Sequence, residues 1–462
     1  MLSQELINNV ILAALSTGGD FAEVFVENTY ANSIKMLDGK VEDGISGRDF
    51  GVGIRIFQNL RSVYVYTNNI EPNNLIRVAK EAASALQGNP TVHDLVLNRV
   101  TVENNHPIQL YPKDVSKVRK VELMSLAHNV VSNYDSTISQ VEIGLADTEQ
   151  HILIANSEGL FVEDQRVRTR LMIQAVASKG NEKQSGFYGP GRHAGFEIWD
   201  QLDVEHYARE AARTAVTMIH ADHAPSGKMP VVIDNEFGGV IFHEACGHGL
   251  EATSVAKGTS VFTGKLGQKI ASDLVSAVDD GTIPNAWGSL NIDDEGNPTQ
   301  RNVLIENGIL KSYMIDKLNG RRMNMAATGN ARRQSYRYAP TSRMTNTFIC
   351  NGTSTPEEII ANTEYGLYAK YMGGGSVNPA TGEFNFAVRE GYLIKNGKID
   401  KPVRGATLIG KGFDVLLKID MVGNNLARGQ GMCGSISGSI PADVGQPMIR
   451  VSELTVGGRE EA

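Results

Sequence analysis

Three dipeptides, Asp38-Gly39, Asn307-Gly308 and Asn396-Gly397, each sit between arms in which apolar and polar residues alternate. The two-residue turn that matches strand twist needs positive φ at both central positions, which Asp-Gly and Asn-Gly tolerate best. The arms Val303-Leu304-Ile305-Glu306 and Ile309-Leu310 therefore predict one antiparallel hairpin, and Tyr392-Leu393-Ile394-Lys395 with Lys398-Ile399 predicts another. Around Asp38-Gly39, the alternating segments 23–27, 52–56 and 63–66 extend this reading to a curled antiparallel sheet. The two Asn-Gly hairpins do not continue into a periodic repeat, so no solenoid is expected.

Helical spacing is confined to a few places. Residues 1–15 place apolar side chains at 6, 7, 10, 11, 14 and 15 behind Ser3, a ready N-cap. Residues 73–86, 114–133 and 204–219 predict three more helices, separated by runs of strand. Helices segregated from antiparallel strands make an α+β domain. At 462 residues the chain exceeds one hydrophobic core, and the polar passage 220–228 is the expected boundary. The fold class expected is α+β: an N-terminal antiparallel sheet with helices in residues 1–224, then a mostly antiparallel β domain in 225–462. That second domain carries one helix of chemical interest.

The net charge of −8 and a pI near 5.8, with no run of lysine and arginine, argue against a nucleic-acid partner. No apolar run approaches the ~20 residues of a membrane span. The first helix lacks a basic start, so a signal peptide is not expected. Three widely spaced cysteines do not form a disulfide framework, and a cytoplasmic enzyme is the simplest placement.

The chemistry concentrates in His243-Glu244-Ala245-Cys246-Gly247-His248-Gly249-Leu250-Glu251. Two imidazoles beside a carboxylate suit a hydrolytic metal site, with neutral nitrogens as ligands and a base that is not itself a ligand. The histidines are five apart, about 140° around an ideal helix, so one metal takes both only if the backbone yields between them. Gly247 and Gly249 tolerate such a departure, and a deformed helix end at Gly247 is expected. Candidates for a third ligand are Glu251, the acidic run Asp293-Asp294-Glu295, Cys350 and Cys433, with Cys433 favoured by its glycine-rich setting. Cys246 lies inside the motif, but on a helix it points away when both histidines face a metal.

The motif is followed by Gly258-Thr-Ser-Val-Phe262, Asn291-Ile-Asp-Asp-Glu-Gly296, Arg343-Met-Thr-Asn-Thr347, Gly373-Gly-Gly375, the stretch from Lys401 to Gly410, and Met421-Val-Gly-Asn424. In this order the blocks resemble the TldD/PmbA family of metallopeptidases, and specifically its catalytic TldD branch. The resemblance implies a zinc peptidase with His243, His248 and Cys433 on Zn²⁺ and Glu244 as general base toward a metal-activated water. It implies unfolded or extended polypeptides as substrates and a homodimer, or a heterodimer with a PmbA/TldE-like subunit. Cysteine at 246 departs from the small apolar residue expected there. Gly373, Gly374, Gly375, Arg343 and Thr345 are the candidate substrate-binding residues, as an edge to which a peptide adds a strand. The competing reading is a non-catalytic peptide-binding or assembly module whose metal is structural or absent. A non-ligating glutamate in the motif counts against it.

Overall fold

The computed structural model describes residues 1–90, 94–378 and 380–459. Helix α1 (Gln4–Ala14) starts where Ser3 accepts a hydrogen bond from the Leu6 amide. Strands β1 (Phe21–Leu37) and β2 (Lys40–Gln58) meet at Asp38-Gly39, whose φ angles of 46° and 79° are those the turn requires. Then come β3 (Arg61–Thr67), α2 (Pro72–Ala83), α3 (Lys117–Ser132), β4 (Ile138–Asn156), β5 (Leu160–Lys179), β6 (Glu182–Tyr188) and α4 (Val204–Ile219). The strands pair in the order β3-β2-β1-β4-β5, and β6 pairs with β5. Every second residue of β4, from Val141 through Ile143 and Leu145, turns inward, as a period of two dictates. Helices α1 and α2 cover one stretch of the sheet around Val24, Ile54 and Leu153, and α3 and α4 cover another around Ile143, Leu171 and Ile173.

The second half contains a closed ring of strands. They are β7 (Gly227–Ile233), and later β11 (Tyr365–Val377), β12 (Glu383–Lys395), β13 (Thr407–Lys411) and β16 (Ile449–Gly457). β7 pairs with β11 and β16, β16 with β13, β13 with β12, and β12 returns to β11. Against this barrel lies a sheet with β9 (Arg301–Glu306), β8 (Ala277–Asp280), β10 (Asn346–Ile349), β15 (Gly438–Gln446) and β14 (Ala427–Ser435) in that order, β14 at the edge. Helix α5 (Val240–Ala245) packs between barrel and sheet, with Ile241, Phe242 and Ala245 in the shared core. Both Asn-Gly hairpins form, with positive φ at Asn307, Gly308, Asn396 and Gly397. The fold is α+β with mostly antiparallel sheets.

The polar passage 220–228 is tied into the second half, where Asp222–His223 pairs in parallel with Val403–Arg404 and β7 begins at Gly227. Two local expectations need correction. The β domain holds more than the one helix expected there. Helices Lys317–Met323, Pro356–Ala361 and Gly412–Leu417 interrupt it, each too short to show a 3.6-residue period. The acidic run is not a source of metal ligands: Asp294 accepts from Arg166 Nη1 at 2.7 Å, Glu295 accepts from Arg55 Nη2 at 2.7 Å, and Asp293 accepts from backbone amides of its own turn and Ala331.

These contacts belong to a buried charge network joining the two halves. Arg55 Nη2 also donates to Glu23 at 2.9 Å, and Arg333 Nη2 donates to Glu23 at 2.7 Å and to the Asp294 carbonyl at 2.8 Å. Arg332, Arg333 and Tyr336 are thereby structural. Arg332 donates to the Met344 carbonyl, and the Tyr336 amide donates to Glu27.

Candidate metal centre

Chain entry to the motif lacks a capped helix start. Glu236 takes a positive φ of 58°, a 3₁₀ turn Glu236–Gly239 follows, and α5 begins without a side-chain cap. A Cβ on Gly239 would stand 2.4 Å from the backbone of Gly445 on β15. That close approach sets α5 directly against the strand paired with β14, and so aims His243 toward Cys433.

The helix ends where the spacing requires. Cys246 leaves helical geometry (φ −129°, ψ −49°), and Gly247–Leu250 continue as a 3₁₀ turn. The reason for the glycines differs from the expected one. Neither takes a positive φ, and a Cβ at Gly247 would lie 2.3 Å from Met344 Sδ, while one at Gly249 would lie 2.7 Å from the Phe262 ring. They are small because the turn is tightly covered, and the bend itself falls on Cys246.

The bend brings the two imidazoles together. Their ring centres are 5.1 Å apart and the planes nearly perpendicular. Cys433 Sγ lies 3.3 Å from His243 Nε2 and 3.4 Å from His248 Nε2, and one ligand atom from each residue falls within 4.8 Å of the others. A tetrahedral zinc with bonds of ~2.0–2.1 Å to nitrogen and ~2.3 Å to sulfur gives an N···S edge of roughly 3.6 Å. The donor set therefore fits such a metal. Burial alone would raise the Cys433 thiol, but His243 and His248 outweigh it and hold it down to about 3. The same contact acts on His248: burial opposes its protonation, yet Glu251 and Cys433 raise it well above an ordinary imidazole.

Of the other candidates, Cys246 is fully buried in the apolar core, where burial pushes its thiol up, and Cys350 sits apart beside Arg301. Glu244 is not among the clustered donors. Its Oε2 lies 3.6 Å from His248 Nε2, and a quarter of its side chain is open to solvent.

A supporting layer was not resolved by sequence reasoning. Glu251 Oε2 lies 3.2 Å from His248 Nδ1, which fixes the ring so that Nε2 is the free ligand atom. Glu251 Oε1 faces Arg343 Nε at 3.7 Å, and the same guanidinium donates to the Cys433 carbonyl at 2.5 Å and to Ser437 Oγ and the Gly438 carbonyl at 3.0 Å. Arg343 thus ties the histidine turn to the cysteine hairpin. It and Thr345 do not form the expected substrate edge: both are buried, and Thr345 is spent on Asp279. Gly373 is buried on β11, whereas Gly374 and Gly375 are exposed. The only signal for Glu251 was its place three residues after His248. Glu251→Ala is expected to weaken metal affinity about 10–100-fold, and Glu251→Gln, which keeps an acceptor oxygen, to weaken it less. Competition against a chromogenic chelator measures both.

Family models bear on what this centre is. The PmbA/TldA metallopeptidase C-terminal domain matches residues 226–458, the central domain 110–219, and domain 1 residues 22–86. The chain belongs to the PmbA/TldD family of metallopeptidases. A metalloprotease TldD homolog of Haemophilus influenzae is 38% identical over 99% of this chain and 97% of its own length. A zinc metalloprotease TldD homolog of Saccharolobus solfataricus is 27% identical over 97% of this chain and 99% of its own. Among solved structures, TldE from Thermococcus kodakarensis shares the fold, with a TM-score of 0.78 at 20% identity, covering 98% of this chain and all of that one. Among the described residues, no helix is long and apolar enough to cross a membrane.

Proposed function

We propose that the chain is a zinc-dependent peptidase of the His-Glu-three-residue-His type, acting on unfolded or extended polypeptides. The observation that carries this is a carboxylate beside, but outside, a three-donor cluster: Glu244 next to His243, His248 and Cys433. A structural site has no use for such a group. When bound, zinc supplies Lewis acidity that polarises a carbonyl and acidifies water. Glu244 Oε2 then takes a proton from the attacking water and delivers it to the departing amine nitrogen. Arg343 and Glu251 act as positioning residues that hold Cys433 and His248 in register.

For the substrate, β11 is the candidate edge. It pairs with β7 only over Leu367, Tyr368 and Ala369, whereas its pairing with β12 runs on to Val377. Beyond residue 369 no strand among the described residues pairs with that side, and among them nothing lies within 4 Å of a Cβ placed on Gly374. Tyr371 stacks 6.1 Å from Phe237, which in turn packs on Gly429 and Gly431 of β14, next to Cys433. An extended peptide added here gains main-chain pairing without sequence preference. The relation in fold to TldE supports a heterodimer with a TldE-like subunit, a homodimer being the other assembly, and the composition supports a cytoplasmic setting.

Metal analysis and hydrolysis of an unfolded polypeptide test the proposal together. Wild type is expected to hold one zinc per chain, to lose activity on chelation and to regain it with zinc. Cys433→Ala is expected to lose stoichiometric zinc and activity together. Full zinc in that variant would remove Cys433 from the ligand set, and activity that survives complete chelation would sink the zinc reading.

A further inference from the structure

Behind the hairpin that carries Cys433 lies a cavity of about 570 Å³, inside the ~300–1,000 Å³ range of small-molecule sites. Arg192, Glu197, Asn285, Arg428, Gln430 and Asp443 are among the residues that line it. Gln430 pairs with Asp443, and Cys433 with Ile440. Side chains alternate along a strand and opposed pairs share a face, so the Gln430–Asp443 pair points away from the face that bears Cys433. Three residues of strand also separate the two pairs by about 10 Å. This cavity is distinct from the metal centre.

Its charged groups are incomplete. Asp443 is buried, and its Oδ1 has no hydrogen-bond partner among the described residues; Arg428 Nη1 is likewise buried and without one. Arg428 and Arg192 both act electrostatically on Asp443, yet among the described residues neither guanidinium comes within the 4.0 Å of an ion pair with it. Burial pushes the Asp443 carboxyl up to about 6 against the pull of those two arginines and of hydrogen bonds from the Gln430 side chain and the Trp287 backbone, which leave Oδ1 to a ligand. Asp443 is buried while Arg192 and Arg428 are half-buried at the cavity wall, so the carboxylate and the guanidinium groups face the same space without closing on one another. Glu197 is already spent, accepting from the Leu110 and Gly195 amides at 2.9 and 3.1 Å.

A purely anionic ligand would meet Asp443, and a purely cationic one would meet two arginines. A ligand with a carboxylate and an ammonium at short spacing answers both. We propose that this cavity binds a small zwitterion, an α-amino acid or a dipeptide, with its carboxylate on Arg428 and Arg192 and its ammonium on Asp443. The proposal stands apart from the peptidase reading, because none of these groups belongs to the metal centre.

Calorimetric titration of the full-length, metal-free chain tests it, since metal removal prevents chelation of amino acids at His243, His248 and Cys433. The probes are leucine, alanyl-leucine, N-acetyl-leucine and leucinamide. Saturable one-to-one binding is expected for leucine or alanyl-leucine, whichever fits better naming the source, with affinity about tenfold or more weaker for the acetylated and amidated forms. Asp443→Asn and Arg428→Gln are each expected to weaken binding by a similar factor. Absence of saturable binding by both zwitterions overturns the proposal. So does N-acetyl-leucine or leucinamide binding as tightly as leucine, a comparison on wild type that holds even where a variant fails to fold. Undiminished affinity in folded Asp443→Asn and Arg428→Gln overturns it as well.

Discussion

Glu244→Gln is expected to lower kcat for peptide hydrolysis by about 10²–10⁴-fold while zinc content stays that of wild type. The change keeps the size and shape of the side chain and removes only its basicity. Because Glu244 lies 3.6 Å from His248 Nε2 and outside the donor cluster, the ligands lose nothing by it. KM is expected to move little, since an extended peptide would be held along the β11 edge rather than by this carboxylate. A variant that binds zinc and hydrolyses within a few-fold of wild type would remove Glu244 from the reaction. Loss of zinc in that variant would instead make it a ligand.

The cluster of His243, His248 and Cys433 was legible because its parts are local or chemically distinctive. Two histidines and a glutamate fall within six residues, and Cys433 stands in a setting of glycines that reads as close backbone approach. The spacing even foretold the break, since five residues do not return to one face of a helix. It misassigned the cause. Glycine suggests freedom of φ, but at Gly247 and Gly249 the requirement is space beneath Met344 and Phe262, which depends on residues far along the chain. Arg343 shows the same limit. At the head of a segment that reads as a strand it suggests part of a binding edge, whereas the fold buries it to hold Cys433 and face Glu251.

The fold followed a similar division. Hairpins signalled by Asp-Gly or Asn-Gly, and helices long enough to show a period, were where they were expected. Closure of the barrel was not visible, because β7 meets β11 in parallel across more than a hundred residues of intervening chain and no local pattern encodes that pairing. Nor was the use of Asp293, Asp294 and Glu295. A run of acids has the same composition whether it holds a metal, faces water or meets buried arginines, and only the partners decide.

Those partners make the second large effect. Arg55→Met is expected to destabilise the protein by about 3–5 kcal/mol, seen as a lower urea midpoint. Arg55 is 2% exposed, and its Nη2 sits between Glu23 on β1 at 2.9 Å and Glu295 in the second half at 2.7 Å. Burial works against its charge, but the two carboxylates outweigh it and raise its pKa. Methionine fills much of the volume and leaves Glu23 with Arg333 alone and Glu295 without its guanidinium in a dry interface, where that carboxyl must take up a proton or draw in water. Arg321 provides the contrast: its pair with Asp20 also crosses between the halves but is exposed, and Arg321→Met is expected to cost less than about 1 kcal/mol. If the loss at Arg55 comes from uncompensated charge and not from packing, adding Glu295→Gln to Arg55→Met should restore part of the stability, while Glu23 keeps Arg333 at 2.7 Å. Should that double variant be no more stable than Arg55→Met, the guanidinium would be acting through its hydrogen-bond geometry, including the cation–aromatic contact at 4.8 Å over Phe57, and not through charge balance.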